Sequence, residues 1–250
     1  MQFIGIIPAR YASTRFPGKP LAEIAGKSMV RRVYEQAQKT DKLAHVVVAT
    51  DNQRIYDHVS EFGYVVITSP DHPSGTDRCF EAAMLMAKEW GIDQEDVIVN
   101  IQGDEPFIHP EQIELICSLF NDPSVEIATL IKPVASSDEL FNENVVKVVK
   151  GFDGKAVYFS RHPVPFLRGV EKELWITRHT FFKHIGMYAY RMKTLEKLIK
   201  LKVSALEKAE SLEQLRWIEN GFPLFTEVTG HESAAIDTPE DLEKLISNLK

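Results

Sequence analysis

The chain has few cysteines, and it lacks any long apolar run. Its two cysteines, Cys79 and Cys117, each lie among apolar residues at helical spacing. This is typical of buried thiols in a reducing compartment, and the spacing gives no metal-binding pair. No apolar stretch approaches the roughly 20 residues that a membrane-spanning helix needs. The sequence begins with a strand pattern, without a charged leader or a cleavable apolar segment. We therefore expect a cytoplasmic protein with no membrane partner.

Positive charge is also in short supply. The 250 residues include 29 Lys and Arg against 36 Asp and Glu, a formal net charge of −7. General nucleic-acid binding requires a basic face, so we expect no nucleic-acid partner, although a local anion site remains open. The length allows a sizeable core. In the absence of repeats, low-complexity tracts and flexible linkers, we expect one domain over residues 1–250.

Glycines are missing where two nucleotide-binding motifs would need them. A P-loop requires a glycine, four residues and then Gly-Lys-Ser/Thr. Gly18-Lys19 is followed by Pro20, and the Gly-Lys-Ser at 26–28 has Leu21 where the first glycine should be. A P-loop ATPase is therefore disfavoured. No Gly-x-Gly-x-x-Gly follows the first strand, which argues against a Rossmann dehydrogenase.

The first half of the chain alternates between apolar runs and amphipathic helical patterns. Strands are predicted at 3–7, 44–50, 64–68, 97–102 and 126–132, and helices from Ser28 and at 52–62, 77–90 and 111–120. Strands rich in Val and Ile without polar alternation are buried on both faces. Strands that alternate with helices form right-handed βαβ units. The pattern predicts a three-layer α/β fold with a mostly parallel sheet.

The second half of the chain does not continue the regular alternation of strands and helices. A hairpin is predicted from the segments 145–149 and 155–159 around Gly-Phe-Asp-Gly. Further strands are predicted at 185–190 and 223–228, with helices at 207–220 and from Pro239, capped by Thr238. We expect residues 145–190 to form an inserted subregion that caps the sheet or forms a subunit interface.

The most informative segment is the loop 8–21 (PARYASTRFPGKPL), which follows the first strand. It carries three cations, Arg10, Arg15 and Lys19, and hydroxyls such as Ser13. Ligands bind at the carboxyl ends of strands in open α/β sheets. Cations and backbone N–H groups gathered there suit a polyphosphate. The loop therefore predicts a phosphate site.

Asp104 is predicted at the same sheet edge as this loop, and Asp237 is a second candidate carboxylate. Asp104 follows the strand 97–102, and Asp237 comes just before the last helix. Carboxylates that share a sheet edge with phosphates suit Mg²⁺. The alternatives are a turn residue for Asp104 and an aspartate stabilised by the helix dipole for Asp237. In the segment 72–78 (HPSGTDR), Arg78 could reach a base or phosphate, or the segment could be an ordinary capped helix entry.

Four segments occur in the order expected for one family: 8–21, 72–78, 100–106 (NIQGDEP) and 237–242 (DTPEDL). Through them the chain resembles the 3-deoxy-manno-octulosonate (Kdo) cytidylyltransferases over nearly its whole length. The resemblance implies a Rossmann-like nucleotidyltransferase fold, a homodimer and a role in lipopolysaccharide synthesis. It also implies a reaction in which CTP and Kdo give CMP-Kdo and pyrophosphate, with Mg²⁺ as cofactor.

The resemblance assigns roles by motif. The residues expected to contact the triphosphate of CTP are Arg10, Ser13, Arg15 and Lys19, and the residues expected to contact its cytidine are Ser74, Arg78 and Gln102. Those expected to bind Mg²⁺ are Asp104 and Asp237, which with Arg10 and Lys19 are the expected catalytic residues. Those expected at the sugar are Arg161 for its carboxylate and His184, Tyr188, Glu213 and Gln214 for its hydroxyls.

Alternatives remain at the sugar residues and for the function. Glu213 and Gln214 could form a solvated helix face, and His184 and Tyr188 could be strand packing. The acceptor could be another acidic sugar, such as 8-amino-Kdo or sialic acid. A catalytically silent nucleotide-binding module is disfavoured because the cations and both aspartates are all present.

Overall fold

A computed structural model of the chain describes residues 1–12, 15–232 and 235–248. Over these residues the strands are β1 (Phe3–Ala9), β2 (Glu23–Ile24), β3 (Lys27–Ser28), β4 (Leu43–Thr50), β5 (Tyr64–Ile67), β6 (Val97–Asn100), β7 (Ile127–Pro133), β8 (Lys147–Lys150), β9 (Ala156–Ser160), β10 (Phe182–Arg191) and β11 (Phe225–Val228). The α-helices are α1 (Met29–Ala37), α2 (Gln53–Ser60), α3 (Gly75–Trp90), α4 (Pro110–Ser118), α5 (Ser137–Phe141), α6 (Trp175–Arg178), α7 (Met192–Leu198), α8 (Ala205–Glu210), α9 (Gln214–Glu219) and α10 (Pro239–Asn248). Short 3₁₀ helices lie at Lys19–Leu21, Leu119–Asn121 and Lys172–Leu174.

The central sheet is mostly parallel, as predicted. Its main path runs β11–β7–β10–β6–β1–β4–β5, with β8 attached to β10 and β9 to β8. The pairs β1–β4, β1–β6, β4–β5 and β7–β11 are parallel, whereas β10 is antiparallel to both β6 and β7. The carboxyl ends of the parallel strands therefore share one edge of the sheet with the amino end of β10. This edge carries the site described below.

Two cores lie on opposite faces of the sheet. In β1, Ile7 packs into a cluster with Val30 of α1, whereas its neighbour Ile6 packs into a second cluster with Ala82 of α3 and Leu195 of α7. All five side chains are fully buried. Because successive strand residues point to opposite faces, a strand without polar alternation needs helices on both sides. The predicted three-layer α/β class is confirmed.

The hairpin in the second half is also present. β8 and β9 pair antiparallel, with Val148 opposite Phe159. β8 pairs in turn with the start of β10, where Val148 lies opposite Phe182. The hairpin therefore extends the main sheet beside β10 and forms part of the same sheet edge.

The single helix predicted over 207–220 is wrong. The chain forms two short helices, α8 and α9, and Ser211 between them adopts a left-handed backbone with φ 52°. A capping box starts α8, with Ser204 as the cap. The break at Ser211 lets Leu212 turn inward, where it is 6% exposed. Helical periodicity continues across this break, so the pattern alone does not reveal it. Among the described helices, none combines the length and apolar character required to cross a membrane.

Candidate active site

Two cavities open side by side at this sheet edge. The β1 cavity has a volume of about 390 Å³ and is lined by Pro8, Ala9, Arg10, Ala12, Arg15, Lys19, Pro20, Gly75, Gln102, Gly103 and Asp104. The β10 cavity, of about 520 Å³, is lined by Gln102, Asp104, Glu105, Glu139, Asn144, Val145, Val146, Lys183, His184, Ile185, Gly186, Tyr188, Glu232 and Ala235. Gln102 and Asp104 line both cavities. A group held against this shared wall can therefore meet a group from the other cavity.

The first loop closes on itself beside β1. Gly18 adopts φ 72° as the cap of a 3₁₀ turn, and its N–H donates to the carbonyl of Tyr11 at 2.9 Å. A left-handed φ is readily available only to glycine. Arg10 Nη2 donates to the carbonyl of His72 at 2.6 Å, which ties this loop to the start of α3. Ser13, predicted to contact the triphosphate, lies outside the described residues.

Lys19 lies between the two predicted aspartates. Its Nζ is 2.8 Å from Asp104 Oδ2 and 3.4 Å from Asp237 Oδ1, and Arg15 Nη2 lies 3.2 Å from the same Asp237 oxygen. The Lys19 side chain is 16% exposed, so this contact is largely shielded from solvent. The four charged groups come from three distant segments of the sequence, and the structure brings them together as predicted.

Tight backbone contacts position the two aspartates. A Cβ at Gly103 would lie 2.7 Å from the carbonyl oxygen of Pro8, so only glycine allows the turn after β6 to approach the end of β1 so closely. The N–H of Ile236 donates to the carbonyl of Asp104 at 3.0 Å. As predicted, Thr238 caps α10, since its Oγ1 accepts from the Asp241 N–H at 3.2 Å. Asp237 therefore lies beside both Asp104 and a helix N-terminus.

This donor set fits Mg²⁺. Mg²⁺ prefers carboxylate oxygens together with phosphate oxygens and water. Asp104 and Asp237 converge on one point, which already holds the Lys19 ammonium, and Arg10 and Arg15 line the adjoining β1 cavity. These two aspartates are therefore the residues that would hold a divalent ion at the shared wall.

The N-terminus of α3 has the capped form that was the alternative to a ligand site. Ser74 Oγ accepts from the Asp77 N–H at 3.2 Å. The Glu213 carboxylate accepts from Thr76 Oγ1 at 3.0 Å. Ser74 Oγ lies 2.6 Å from Asp77 Oδ2 and 3.0 Å from Glu213 Oε1, and its single proton serves one of these two carboxylates. Burial raises the pKa of Glu213. Glu213 therefore holds the amino end of α3, whose first residue, Gly75, lines the β1 cavity.

Arg78 lies away from both cavities. It is fully buried, and its guanidinium donates to Asp51 Oδ2 at 2.8 Å and to Thr68 Oγ1 at 2.5 Å. Asp51 and Thr68 follow β4 and β5, so Arg78 holds the ends of these strands together. Direct contact of Arg78 with a nucleotide stays a prediction, and it would require the loss of these bonds.

His184 and Tyr188 form one wall of the β10 cavity. Thr129 Oγ1 lies 2.7 Å from the carbonyl of Met187 and 2.8 Å from His184 Nε2. A hydroxyl donates only one proton. If the Thr129 hydroxyl donates its proton to the Met187 carbonyl, the hydroxyl oxygen must accept from His184 Nε2–H. His184 Nδ1 then carries no proton and can accept a hydrogen bond. Burial lowers the pKa of His184 to about 3, so the ring is neutral at physiological pH.

Aromatic contacts support this wall. The Tyr188 ring centroid lies 5.0 Å from that of His184 and 5.1 Å from that of Trp217. Burial raises the pKa of Tyr188 well above its usual value, so it remains a phenol and can donate a hydrogen bond. The pairing of β10 with β7 shifts register between Ile185 and Tyr188. At this bulge Gln102 Nε2 donates to the carbonyl of Gly186 at 2.8 Å, which links the shared wall to β10.

Lys183 is the residue that the sequence reasoning missed. Its side chain is 5% exposed, and its ammonium contacts the carboxylates of Glu139 and Glu232. Burial alone would lower the pKa of Lys183, but the two carboxylates raise it, so the cation persists. All three residues line the β10 cavity. The available signal was a lysine inside the apolar run 181–185.

Three predicted sugar residues lie outside the lining of both cavities. The Arg161 guanidinium donates to the carbonyls of Glu210 at 2.7 Å, Glu143 at 3.1 Å and Ser211 at 3.4 Å. Glu213 faces α3, as described above, and Gln214 is 4% exposed at the start of α9. The solvated helix face considered for this pair is therefore wrong for Gln214. A role of these residues in sugar binding stays a prediction.

The chain is similar to known proteins along its whole length. A family model described as Cytidylyltransferase matches residues 4–232. A 3-deoxy-manno-octulosonate cytidylyltransferase of Parabacteroides distasonis is 55% identical, over 100% of this chain and 98% of that protein. The protein of the same name from Geobacter sulfurreducens is 46% identical, with 100% of both chains covered.

A solved structure agrees with these relatives. The chain superposes on a CMP:2-keto-3-deoxy-manno-octonic acid synthetase complexed with CTP, with a TM-score of 0.89 and 37% identity. The match covers 100% of this chain and 98% of the other. A 4-diphosphocytidyl-2C-methyl-D-erythritol synthase, at 12% identity and a TM-score of 0.63, shares the fold.

Proposed function

We propose that this chain, which belongs to the 3-deoxy-manno-octulosonate cytidylyltransferases, transfers CMP from CTP to the anomeric hydroxyl of Kdo and releases pyrophosphate. One observation carries the proposal. A cation-lined cavity and a larger cavity with polar and aromatic groups share a wall at Gln102 and Asp104. A two-substrate transfer needs both substrates to meet at one wall, and the α-phosphate of CTP belongs there.

The β1 cavity suits the nucleotide. Arg10, Arg15 and Lys19 lie around it, and they can spread the triphosphate charge over several donors. Ser13 is the fourth residue proposed on the triphosphate, and Ser74, Arg78 and Gln102 are proposed on the cytidine. When CTP enters, we expect its phosphates to replace carboxylates as partners of the cations. Lys19 then stabilises the charge that develops on the leaving pyrophosphate.

The chemical step is one displacement at phosphorus. The anomeric oxygen of Kdo forms a bond to the α-phosphorus, the bond from that phosphorus to the bridging oxygen of the β-phosphate breaks, and the hydroxyl proton passes to solvent. No covalent enzyme intermediate is required, so the residues act by positioning and by stabilising charge. Mg²⁺ held by Asp104 and Asp237 would neutralise charge on the triphosphate.

The β10 cavity suits an acidic, polyhydroxylated acceptor. Lys183 supplies the buried cation that a carboxylate needs, and Tyr188 and neutral His184 supply hydrogen-bonding groups for hydroxyls. Arg161, Glu213 and Gln214 remain proposed sugar residues. From their contacts, Arg161 supports the 143–146 segment of the cavity wall, and Glu213 supports α3.

We further propose a homodimer that works in the cytoplasm for lipopolysaccharide synthesis. The subregion 145–190 exposes several large apolar side chains, Phe152, Val157, Phe166 and Leu174. Exposed apolar groups in one subregion favour an interface there. Light scattering of the purified protein should give twice the mass of one chain, and Phe166→Glu should lower it. A single-chain mass for the unmodified protein would contradict the dimer.

The decisive assay measures pyrophosphate release with CTP and Mg²⁺. The acceptor is varied among Kdo, 8-amino-Kdo, sialic acid and a blank. Release with Kdo that exceeds every other arm supports the full proposal. Preferential release with another acid would retain the cytidylyl transfer and reject Kdo as the acceptor. CTP binding without release in any arm would instead support a silent nucleotide-binding module.

A further inference from the structure

A second cluster of possible metal ligands lies outside both cavities. It consists of His109, Glu111 and His231, and one ligand atom from each lies within 4.8 Å of the other two. His109 is the cap of α4, and Glu111 lies in the first turn of that helix. His231 comes from a different part of the chain, the segment after β11. We refer to these three residues as the histidine cluster.

Contacts within the protein hold the two histidines beside each other. The imidazole rings of His109 and His231 stack with centroids 4.3 Å apart and an interplanar angle of 26°. Gln112, fully buried below them, accepts from the His109 N–H at 3.1 Å and donates to the His231 carbonyl at 3.5 Å. The three donors thus come from two segments that Gln112 connects.

We propose that the histidine cluster binds a divalent transition metal of the zinc class, with water completing the coordination. Two imidazoles and one carboxylate form a donor set that favours Zn²⁺ over Mg²⁺, which prefers oxygen ligands alone. Tetrahedral Zn²⁺ with bonds of about 2.0–2.1 Å places its ligand atoms roughly 3.3 Å apart. Since Glu111 and His231 are exposed, side-chain rotations that open the ring stack can bring the ligand atoms to this spacing.

The two histidines lie in the same two segments of the chain as Asp104 and Asp237. The segment 104–111 carries Asp104 and His109, and the segment 231–237 carries His231 and Asp237. These segments already meet at one end, where Ile236 donates to Asp104. An ion between His109 and His231 would join the N-terminus of α4 to the residues that follow β11.

Calorimetric titration of the purified protein with Zn²⁺ tests the site. The buffer contains excess Mg²⁺, so that Zn²⁺ does not report on Asp104 and Asp237. We expect about one Zn²⁺ per chain for the unmodified protein and for His179→Ala, a control that removes an exposed histidine elsewhere. His109→Ala and His231→Ala should each bind Zn²⁺ on the order of 10- to 100-fold more weakly, because even supporting residues of a metal site have effects of that size.

A conservative variant guards against misfolding. Glu111→Gln keeps the shape of the side chain and removes its charge, and we expect it to weaken Zn²⁺ binding at least about tenfold. If circular dichroism shows that a histidine variant is unfolded, Glu111→Gln decides the question. Equal Zn²⁺ affinity in all the folded variants, or no binding to the unmodified protein, would overturn the site. Loss of Zn²⁺ binding in Asp104→Asn but in none of the cluster variants would overturn it as well.

Discussion

The two cavities differ in how their charged groups are balanced. In the β1 cavity Arg15 and Lys19 pair with aspartates whose side chains are 25% and 43% exposed. In the β10 cavity a nearly buried lysine contacts two glutamates beside a desolvated histidine and tyrosine. The Arg15–Asp237 pair is the most exposed of these ion pairs, and an exposed ion pair contributes little to stability. The β1 cavity therefore suits an anionic ligand whose charges take the place of the aspartates as partners of the cations. The β10 cavity suits selection among acceptors.

A substitution at the wall shared by the two cavities should lower activity more than a substitution in either cavity alone. Asp104→Asn should lower kcat on the order of 10³-fold, because loss of one preorganised electrostatic group at a reacting centre has effects of up to that size. Thermal unfolding should change little, since Asp104 lies at the sheet edge outside the core. Asp41→Asn, an exposed aspartate before β4 at the opposite edge, is the matched control. Unaltered Mg²⁺-dependent turnover in Asp104→Asn would remove the shared wall from the mechanism.

A substitution of Arg10 should affect the use of CTP and leave the use of Kdo nearly unchanged. Arg10→Ala should raise the KM for CTP roughly 10- to 100-fold, because a charge-assisted hydrogen bond contributes about 1.5–3 kcal/mol. The KM for Kdo should stay within about twofold, since Arg10 lines only the β1 cavity. Steady-state kinetics with each substrate varied in turn measures both values. Arg178→Ala, at an exposed position in α6, is the control, and equal increases in both KM values would contradict the division of roles.

The desolvation of His184 should be visible as a pH dependence of stability. An unfolded histidine has a pKa near 6.5, whereas burial lowers the pKa of His184 to about 3 in the folded protein. The unfolded state therefore binds a proton first as the pH falls, and stability is lost below about pH 6.5. Between pH 7 and pH 5 the loss from this residue should be about 2 kcal/mol.

Urea unfolding at the two pH values measures this loss. His184→Gln should lose about 2 kcal/mol less than the unmodified protein over this interval, because glutamine does not titrate. The remaining histidines contribute equally to both proteins. An identical pH dependence of the two unfolding free energies would show that His184 is solvated, and the contrast between the cavities would then weaken.

Lys183 should give the converse of the Arg10 result. Lys183→Met should raise the KM for Kdo about tenfold and leave the KM for CTP nearly unchanged, since removal of the cation leaves Glu139 and Glu232 facing an anionic acceptor. Lys193→Met, which removes a lysine paired with Glu95 on the surface, is the control. Arg161→Ala measured beside it would show which cation acts on the acceptor. A larger change in the Kdo KM for Arg161→Ala than for Lys183→Met would favour Arg161.

Much of the β1 cavity was predictable because its residues follow strands. Arg10 follows β1 and Asp104 follows β6, and both strands are evident from buried Val and Ile runs. Once a parallel sheet is inferred, their meeting at one edge follows. Asp237 was predicted at this edge through the resemblance, and its contact with Lys19 agrees. Arg78 shows the limit, since a cation near a motif can face inward as well as toward a ligand.

The β10 cavity was less predictable because its geometry depends on strand direction. β10 is antiparallel to both neighbours, so Lys183 and His184 at its start reach the edge where the other strands end. Single-sequence patterns show that a strand exists and leave its partners open. The motif resemblance predicts Arg161 and Gln214 at the sugar site, whereas in the structure neither residue lines the β10 cavity.

The sequence by itself determined the strands of the main sheet, the helices of the first half, the α/β class and the motifs that identify the family. These features depend on local periodicity and on short runs of residues. Only the tertiary structure decided that Gln102 and Asp104 form a wall between two cavities, that Lys183 lines the β10 cavity, and that His109 meets His231. Each of these contacts joins segments far apart in the chain. Their proximity depends on sheet order and register, which are set by packing of the whole core.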